Sequence, residues 1–140
     1  MSDGREPAHK LVLRVLPLQL AVCYLSPDAA VPTWATGGAF FSVSRTDKEL
    51  SVVCDFEAVP PDIRREGPWA CLEVEGPLDF SLTGILAGLA APLADANISI
   101  FAISTYRTDY VLVPATDIQR ATNALQDCGY TLRDQVDPSL

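Results

Sequence analysis

The sequence has few of the side chains on which most enzymes depend. It contains one histidine, His9, and four cysteines that form no CxxC pair: Cys23, Cys54, Cys71 and Cys128. Zinc sites use clustered cysteines and histidines, and a catalytic serine or cysteine needs a base within hydrogen-bond reach. The sequence therefore predicts no metal, no cofactor and no nucleophilic catalysis, and we interpret the cysteines as small buried apolar residues.

Positive charge is also scarce. The chain carries 10 lysines and arginines against 18 aspartates and glutamates, a formal net charge of −8, and its largest basic cluster is the pair Arg64-Arg65. Nucleic acids and anionic membrane surfaces attract basic patches, so neither is an expected partner. No apolar run is long or uninterrupted enough for a signal peptide or a membrane-spanning helix, which predicts a cytoplasmic protein.

Strand signals dominate the first half of the chain. The segments KLVLRVL and LQLAVCYL are separated by Pro17, which indicates two strands or one bent strand. Further on, AFFSVS and ELSVVC flank the short polar connector RTDK, so residues 39–54 are predicted to form an antiparallel pair. Residues 57–68, EAVPPDIRREGP, are rich in proline and charge, which is typical of a connector. These features predict a division of the chain into residues 1–60 and 61–140.

The second half alternates strand and helix patterns. Strands are predicted for WACLEVE, ISIFAIS and DYVLV, and a last short one for YTLRDQV. Residues 82–97, LTGILAGLAAPLADAN, have apolar residues at helical spacing, although Gly84, Gly88 and Pro92 lower the helix propensity. A second helix is predicted over TDIQRATNALQDCGY, ending at Gly129. The order strand, helix, strand, strand, helix, strand is that of a ferredoxin-like unit.

Three segments of this half, GPLDFSLTGILA, APLADANISIFAIST and TDYVLV, follow one another in the order and spacing of the ACT domain. Over residues 69–130 the chain resembles the ACT domains of aspartate-kinase regulatory regions, in the variety also found in CASTOR-type arginine sensors and in small stand-alone bacterial proteins. The first half resembles a reduced ACT domain through GGAFFSVSRTDKELSVVC. The resemblance implies an α+β fold of tandem ferredoxin-like (βαββαβ) ACT domains, of which the N-terminal one is reduced.

The resemblance also implies a binding site for a small effector, most often an amino acid. In the similar sensors the ligand lies between the loop that opens the first helix and a strand end with an ST(Y/F)xxD motif. The matching residues of this chain are Phe80, Ser81, Leu82, Thr83, Gly84, Ser104, Thr105, Tyr106 and Asp109. The N–H groups at a helix start suit a ligand carboxylate, and Asp109 would pair with an ammonium group.

Several of these residues have a structural alternative. Asp109 is a turn-capping acid if the preceding TYRT segment donates backbone N–H groups to it, and without the family resemblance this interpretation is preferred. Asp79 fits a helix cap better than a ligand contact, because an acid there would repel a ligand carboxylate. Phe80 also fits a core position, and Ser81 and Thr83 are ordinary capping residues.

The sequence thus favours a non-catalytic regulatory protein that binds an amino acid through ACT-domain interfaces. The alternative is a ligand-free dimerisation or interaction module, and scattered carboxylates without a nearby histidine make an enzyme the weaker hypothesis. A homodimer is expected, because ACT-like sheets leave edge strands and apolar helix faces exposed and the reduced first half is too thin to cover them. A stand-alone sensor would also need a regulated protein, still unidentified, as a partner.

Overall fold

The computed structural model describes residues 11–75 and 83–134. Within these ranges the chain forms strands and helices in a mixed α+β arrangement. The elements are β1 (Val12–Leu25), β2 (Ser42–Arg45), β3 (Leu50–Asp55), β4 (Arg65–Val74), α1 (Ile85–Asp95), β5 (Phe101–Ser104), β6 (Asp109–Pro114), α2 (Ile118–Asp127) and β7 (Thr131–Asp134). The chain divides into two compact units, a smaller one of residues 18–69 and a larger one formed by the chain on either side of it.

The smaller unit is built around an antiparallel hairpin. Strands β2 and β3 pair with Ser42 opposite Val53 and Arg45 opposite Leu50, which confirms the pair predicted for residues 39–54. Strand β3 also pairs antiparallel with the second part of β1, from Leu20 to Leu25. Alternate residues of β1 and β3 face inward and form an apolar core together with two residues from the loops. The core consists of Ala21, Cys23, Ala35, Leu50, Val52, Cys54 and Val59.

The larger unit contains the predicted βαββαβ order, from β4 through α1, β5, β6 and α2 to β7. Its strands lie in the order β7, β1, β4, β6, β5. The first part of β1 therefore occupies the place between β4 and β7, and it pairs in parallel with β7 from Val12 opposite Thr131 to Val15 opposite Asp134. The α+β, ferredoxin-like fold class is confirmed, with one strand inserted into the sheet of this unit.

The compact units do not follow the predicted boundary near residue 60. Strand β1 is one continuous strand through Pro17, and its two parts pair with different neighbours, β7 and β3. One uninterrupted strand thus contributes to both units. The proline-rich and charged composition of residues 57–68, from which the boundary was predicted, gives no information about this shared strand. As a division between two related domains, the boundary stays a prediction.

Both helices of the larger unit pack on one face of its sheet. Helix α1 buries Ile85, Leu89 and Leu93, whose four-residue spacing forms a single stripe. The stripe packs with α2 and with alternate strand residues in one apolar core, whose members include Leu13, Leu72, Val74, Val111, Val113, Ala121 and Leu125. The predicted first helix is confirmed, although the structure begins it at Ile85 and keeps the buried Pro92 inside it.

Candidate functional site

The segment between β5 and β6 is a tight turn closed by two threonines. The Thr105 N–H donates to the Thr108 carbonyl at 2.8 Å, and the Thr105 hydroxyl donates to the same oxygen at 3.0 Å. The Thr108 N–H in turn approaches Thr105 Oγ1 at 3.4 Å. This reciprocal arrangement is the local hydrogen bonding by which threonine favours turns, and it fixes the geometry of residues 105–108.

Thr108 also attaches this turn to the neighbouring strand. Its side chain is 6 % exposed, and its hydroxyl donates to the Val74 carbonyl at 2.6 Å. Val74 is the last residue of β4, the strand from which the chain continues toward α1. The turn therefore lies beside the strand end that leads into the first helix, at one end of the larger unit's sheet.

The start of α1 leaves backbone donors without a side-chain cap. Gly84 is the residue before the helix, with a φ of 78°, and among the described residues no side chain caps the first turn by a hydrogen bond. Thr83 and Gly84 are exposed, and a Cβ placed on Gly84 would meet no atom within 4 Å among the described residues. The first-turn N–H groups carry the positive end of the helix dipole, so this open position suits an anionic group.

Asp109 lies on the sheet face that carries the helices. It pairs with Ser104 across β5 and β6, and Val111, two residues further along, packs in the core with Ile85. Because strand residues two apart share a face, Asp109 and Ser104 face the layer of α1. Asp109 is half-buried, and its carboxylate makes no hydrogen bond within the part of the chain that the structure describes. The capping alternative for Asp109 is thus not seen there.

The structure brings only some of the predicted site residues together. Ser104 and Asp109 are direct partners, Thr105 closes the turn, and Tyr106 at its tip is 82 % exposed. Thr83 and Gly84 stand at the helix start. Three of the predicted site residues, Phe80, Ser81 and Leu82, lie outside the described ranges. Asp79, for which a helix cap was the preferred interpretation, also lies outside them.

Thr108 was missed by the sequence analysis. Its side chain is the buried polar group that fixes the turn to β4, yet in the sequence it is one polar residue among the five from Ser104 to Thr108. A signal for it existed in its position, because Thr108 lies just before a strand with a continuous apolar run, of which Val111, Leu112 and Val113 are buried. The residue that ends a turn just before a buried strand is a natural position for such an anchor.

Burial favours the protonated form of Cys23, Cys54, Cys71 and Tyr110. Burial raises the pKa of the Cys54 and Cys71 thiols to about 12, with smaller contributions from neighbouring groups, and burial also raises the pKa of Cys23. Burial and a hydrogen bond to Glu73 raise the pKa of Tyr110 to about 12. A thiol with such a pKa is a poor nucleophile at neutral pH.

Two further features concern the described residues as a whole. Across residues 11–75 and 83–134, no three His, Cys, Asp or Glu side chains lie close enough together to hold a metal ion. In the same ranges neither helix is long enough, or apolar over enough of its length, to cross a membrane.

Comparison with protein families matches residues 64–127 to the ACT domain. A second family model, described as an N-terminal domain, matches residues 19–62. A crystal structure of a protein from Agobacterium tumefaciens is 36 % identical with a TM-score of 0.86, and the match covers 93 % of this chain and 97 % of that one. Aspartokinase alpha and beta subunits superpose with a TM-score of 0.59 at 16 % identity, over 86 % of this chain and 98 % of theirs, a likeness of fold alone.

The matches to the curated relatives are partial. The bovine cytosolic arginine sensor for mTORC1 subunit 1 is 36 % identical over an aligned length of 96 residues, and the match covers 63 % of this chain and 29 % of the sensor. Human CASTOR3P is 34 % identical over an aligned length of 99 residues, and the match covers 61 % of this chain and 61 % of CASTOR3P. This chain thus spans less than two thirds of the length of either relative.

Proposed function

We propose that this chain, whose residues 64–127 match the ACT domain, is a non-catalytic regulatory protein that binds an amino acid between the start of α1 and the turn after β5. The observation that carries this proposal is the 2.6 Å hydrogen bond from the Thr108 hydroxyl to the Val74 carbonyl. This bond holds the turn beside the strand end from which the chain continues to α1. We propose that the start of α1 lies at the same end of the sheet, so that two segments of opposite electrostatic character flank the ligand.

The chemistry of the two segments suits the two charged groups of an amino acid. The N–H groups at the start of α1 would donate hydrogen bonds to the ligand carboxylate, and among the described residues no atom fills the space beside Gly84. The Asp109 carboxylate would accept hydrogen bonds from the α-ammonium group or from a cationic side chain. A charge-assisted bond of this kind contributes about 1.5–3 kcal/mol. Phe80, Ser81 and Leu82 are proposed as further contacts on the grounds of the family motif.

The side-chain chemistry supports a binding role without catalysis. The buried thiols of Cys23, Cys54 and Cys71 have raised pKa values and are protonated at neutral pH. The single histidine of the chain, His9, precedes the described residues. A bound amino acid would therefore meet carboxylates, hydroxyls and backbone groups, which can bind and orient it but supply no activated nucleophile.

The names of the relatives suggest the physiological setting. The bovine relative is named a cytosolic arginine sensor, so arginine is the first effector to test and a cytosolic location is proposed here. A binding protein without catalytic activity can pass on a signal only through another protein, so we include a separate regulated protein in the proposal, together with a homodimer. The homodimer and the regulated protein remain proposals, because the match covers only 29 % of the sensor's length.

A thermal-shift screen against the twenty amino acids tests the proposal. A ligand present at one hundred times its Kd stabilises the native state by roughly 2.7 kcal/mol, which raises the melting temperature by several degrees. The matched controls are analogues of any hit that lack either the α-carboxylate or the α-ammonium group, and we expect both to lose the shift. If no amino acid shifts the melting temperature at millimolar concentration, the ligand-free interaction module becomes the better description.

A further inference from the structure

The two residues next to Asp109 in the chain are both attached to β4 by side-chain hydroxyls. On one side the Thr108 hydroxyl donates to the Val74 carbonyl at 2.6 Å. On the other side the Tyr110 hydroxyl donates to Glu73 Oε2 at 3.0 Å. Glu73 and Val74 are consecutive residues of β4, so Asp109 lies between two attachments to the same part of one strand.

The hydrogen bond of Tyr110 lies on the sheet face opposite the helices. Successive strand residues point to opposite faces, so Tyr110 points away from the face that carries Asp109. Glu73 likewise points away from the face of Val74, which packs in the core with both helices. The acceptor is a carboxylate, and a hydrogen bond to an ionised group is stronger than one between neutral groups. Tyr110 thus holds β6 from behind, without entering the space in which an effector would bind.

Both attachments lie where the strand is easiest to open. Asp109 is the first residue of β6, and the turn before it exposes Tyr106 and Arg107. Strand ends and turns open with a smaller free energy than strand centres do. Side-chain bonds on either side of Asp109 therefore restrain the backbone at the position where fraying of β6 would begin.

A restrained carboxylate suits the binding of a small charged ligand. Binding is tighter when the contacting group is already held in its bound position, because less ordering is needed when the ligand arrives. We propose that Tyr110 is a positioning residue: through its hydrogen bond to Glu73 it holds the backbone of Asp109, so that the Asp109 carboxylate meets the cationic group of the effector. This inference rests on the proposed function and adds to it a residue that does not touch the ligand.

Tyr110→Phe tests this role, because it keeps the ring and removes only the hydroxyl. We expect calorimetric titration to show about two- to tenfold weaker binding of L-arginine, the range that one lost hydrogen bond produces. If the thermal-shift screen identifies another amino acid, that compound is titrated instead. Glu73→Ala should weaken binding alike, and the double variant should bind no more weakly than either, since all three lack the same bond. Tyr24→Phe, which removes the hydroxyl of an exposed tyrosine in the smaller unit, is the matched control and should leave the affinity unchanged.

Two further measurements separate positioning from a general loss of stability. In an Asp109→Asn background, Tyr110→Phe should weaken binding by less than about twofold, because the carboxylate that it positions is already gone. Without any ligand, residue-resolved hydrogen exchange should be faster for the Asp109 amide in Tyr110→Phe than in the wild type. The acceleration should exceed that of the Val52 amide in β3, which reports on the smaller unit.

Three results would overturn this role of Tyr110. Equal weakening by Tyr110→Phe with and without the Asp109 carboxylate would show that the hydroxyl acts independently of that group. Unchanged affinity of Tyr110→Phe for an amino acid that the wild type binds would remove the role directly, and equal acceleration of the Asp109 and Val52 amides would reduce the bond to general stability. A wild type that binds no amino acid of the screen would instead end the proposed function, and this inference with it.

Discussion

Thr108 is the residue that connects the turn chemistry to the sheet. A buried hydroxyl is costly unless it is hydrogen-bonded, and here it donates to a strand carbonyl across the sheet at 2.6 Å. The same residue's backbone groups close the turn with Thr105. Thr108 therefore contributes its backbone to the shape of residues 105–108 and its side chain to their position beside β4.

Replacing Thr108 with valine should destabilise the protein by about 1–2 kcal/mol. Valine keeps the shape of the side chain but removes the donor to the Val74 carbonyl, and the lost hydrogen bond is of that magnitude. Urea denaturation monitored by circular dichroism measures the change. Thr46→Val is the matched control, because Thr46 Oγ1 accepts from Lys48 N–H in an exposed turn, and it should change stability by no more than about 0.5 kcal/mol. Equal effects of the two substitutions would show that Thr108 is not an anchor.

Asp109 separates the ligand-binding interpretation from the structural one. We expect Asp109→Asn to weaken binding of the effector found in the screen by roughly 1.5–3 kcal/mol, about ten to a hundredfold or more, because the charge pairing with the ammonium group is lost. Stability should change little, since the carboxylate makes no hydrogen bond within the described part of the chain. Calorimetric titration and melting curves measure the two quantities.

The control for Asp109 is Asp47→Asn in the exposed turn of the smaller unit. It removes the same charge far from the start of α1 in sequence, so it corrects for the change in net charge and should leave the affinity unchanged. An Asp109→Asn protein with a lowered melting temperature and full affinity would make Asp109 a structural acid.

At the scale of elements, the start of α1 depends on one backbone conformation. Gly84 has a φ of 78°, in the left-handed region that a residue with a Cβ enters at a cost of about 1–2 kcal/mol. Gly84→Ala should lower the free energy of unfolding by about that amount, although the new methyl group would meet no atom of the described residues within 4 Å. The loss therefore reports on conformation and not on a clash.

Gly37→Ala is the comparison for Gly84→Ala. Gly37 also has open space around its missing Cβ, but its φ lies outside the left-handed region. Alanine there should be neutral or slightly stabilising, because it restricts the unfolded chain without straining the folded one. Chemical denaturation of both variants decides the matter, and a Gly84→Ala protein as stable as Gly37→Ala would show that the helix can start in another conformation.

Local patterns predicted the elements well where their period is strong. The hairpin of residues 39–54 and the apolar stripe of α1 follow directly from alternating and four-residue spacing. Pro92 was expected to weaken the helix, yet it is buried in the last turns, where Ala96 N–H still donates to the Pro92 carbonyl at 3.1 Å. The packing of α1 on the sheet compensates for the proline. Helix propensities of single residues do not include such packing, so they could not predict this outcome.

The pairing of β1 could not be predicted from its own residues. An apolar alternating strand carries no information about which neighbour it joins, and β1 joins β7 with its first part and β3 with its second. The candidate site shows the same limit. Sequence motifs selected Ser104 and Asp109, which are paired, but the anchor at Thr108 depends on a contact with Val74, 34 residues earlier in the chain.

At the scale of the whole molecule, the thiols of buried cysteines and the hydroxyls of tyrosines make the stability of the fold depend on pH in the alkaline range. Burial raises the pKa of Cys54 and Cys71 from 9.0, and that of Tyr110 and Tyr130 from 10.0, in each case to about 12. The folded protein therefore keeps protons that the unfolded chain releases between pH 9 and pH 12. The stability that these groups contribute is fully present below pH 9 and is lost as the pH rises through 12.

The alkaline loss can be assigned to a particular group by substitution. Cys71→Ala removes a titrating thiol from β4, so the free energy of unfolding should fall less steeply between pH 9 and pH 12 than in the wild type, although it is lower at every pH because of the cavity. Val74→Ala on the same strand creates a cavity in an equally buried position, 1 % exposed, without removing a titratable group. It should therefore keep the wild-type slope. Urea titrations at half-unit pH steps measure both slopes. A Cys71→Ala protein with the same slope as Val74→Ala would mean that this thiol titrates alike in the folded and unfolded chains, and the pH dependence would then belong to the remaining buried groups.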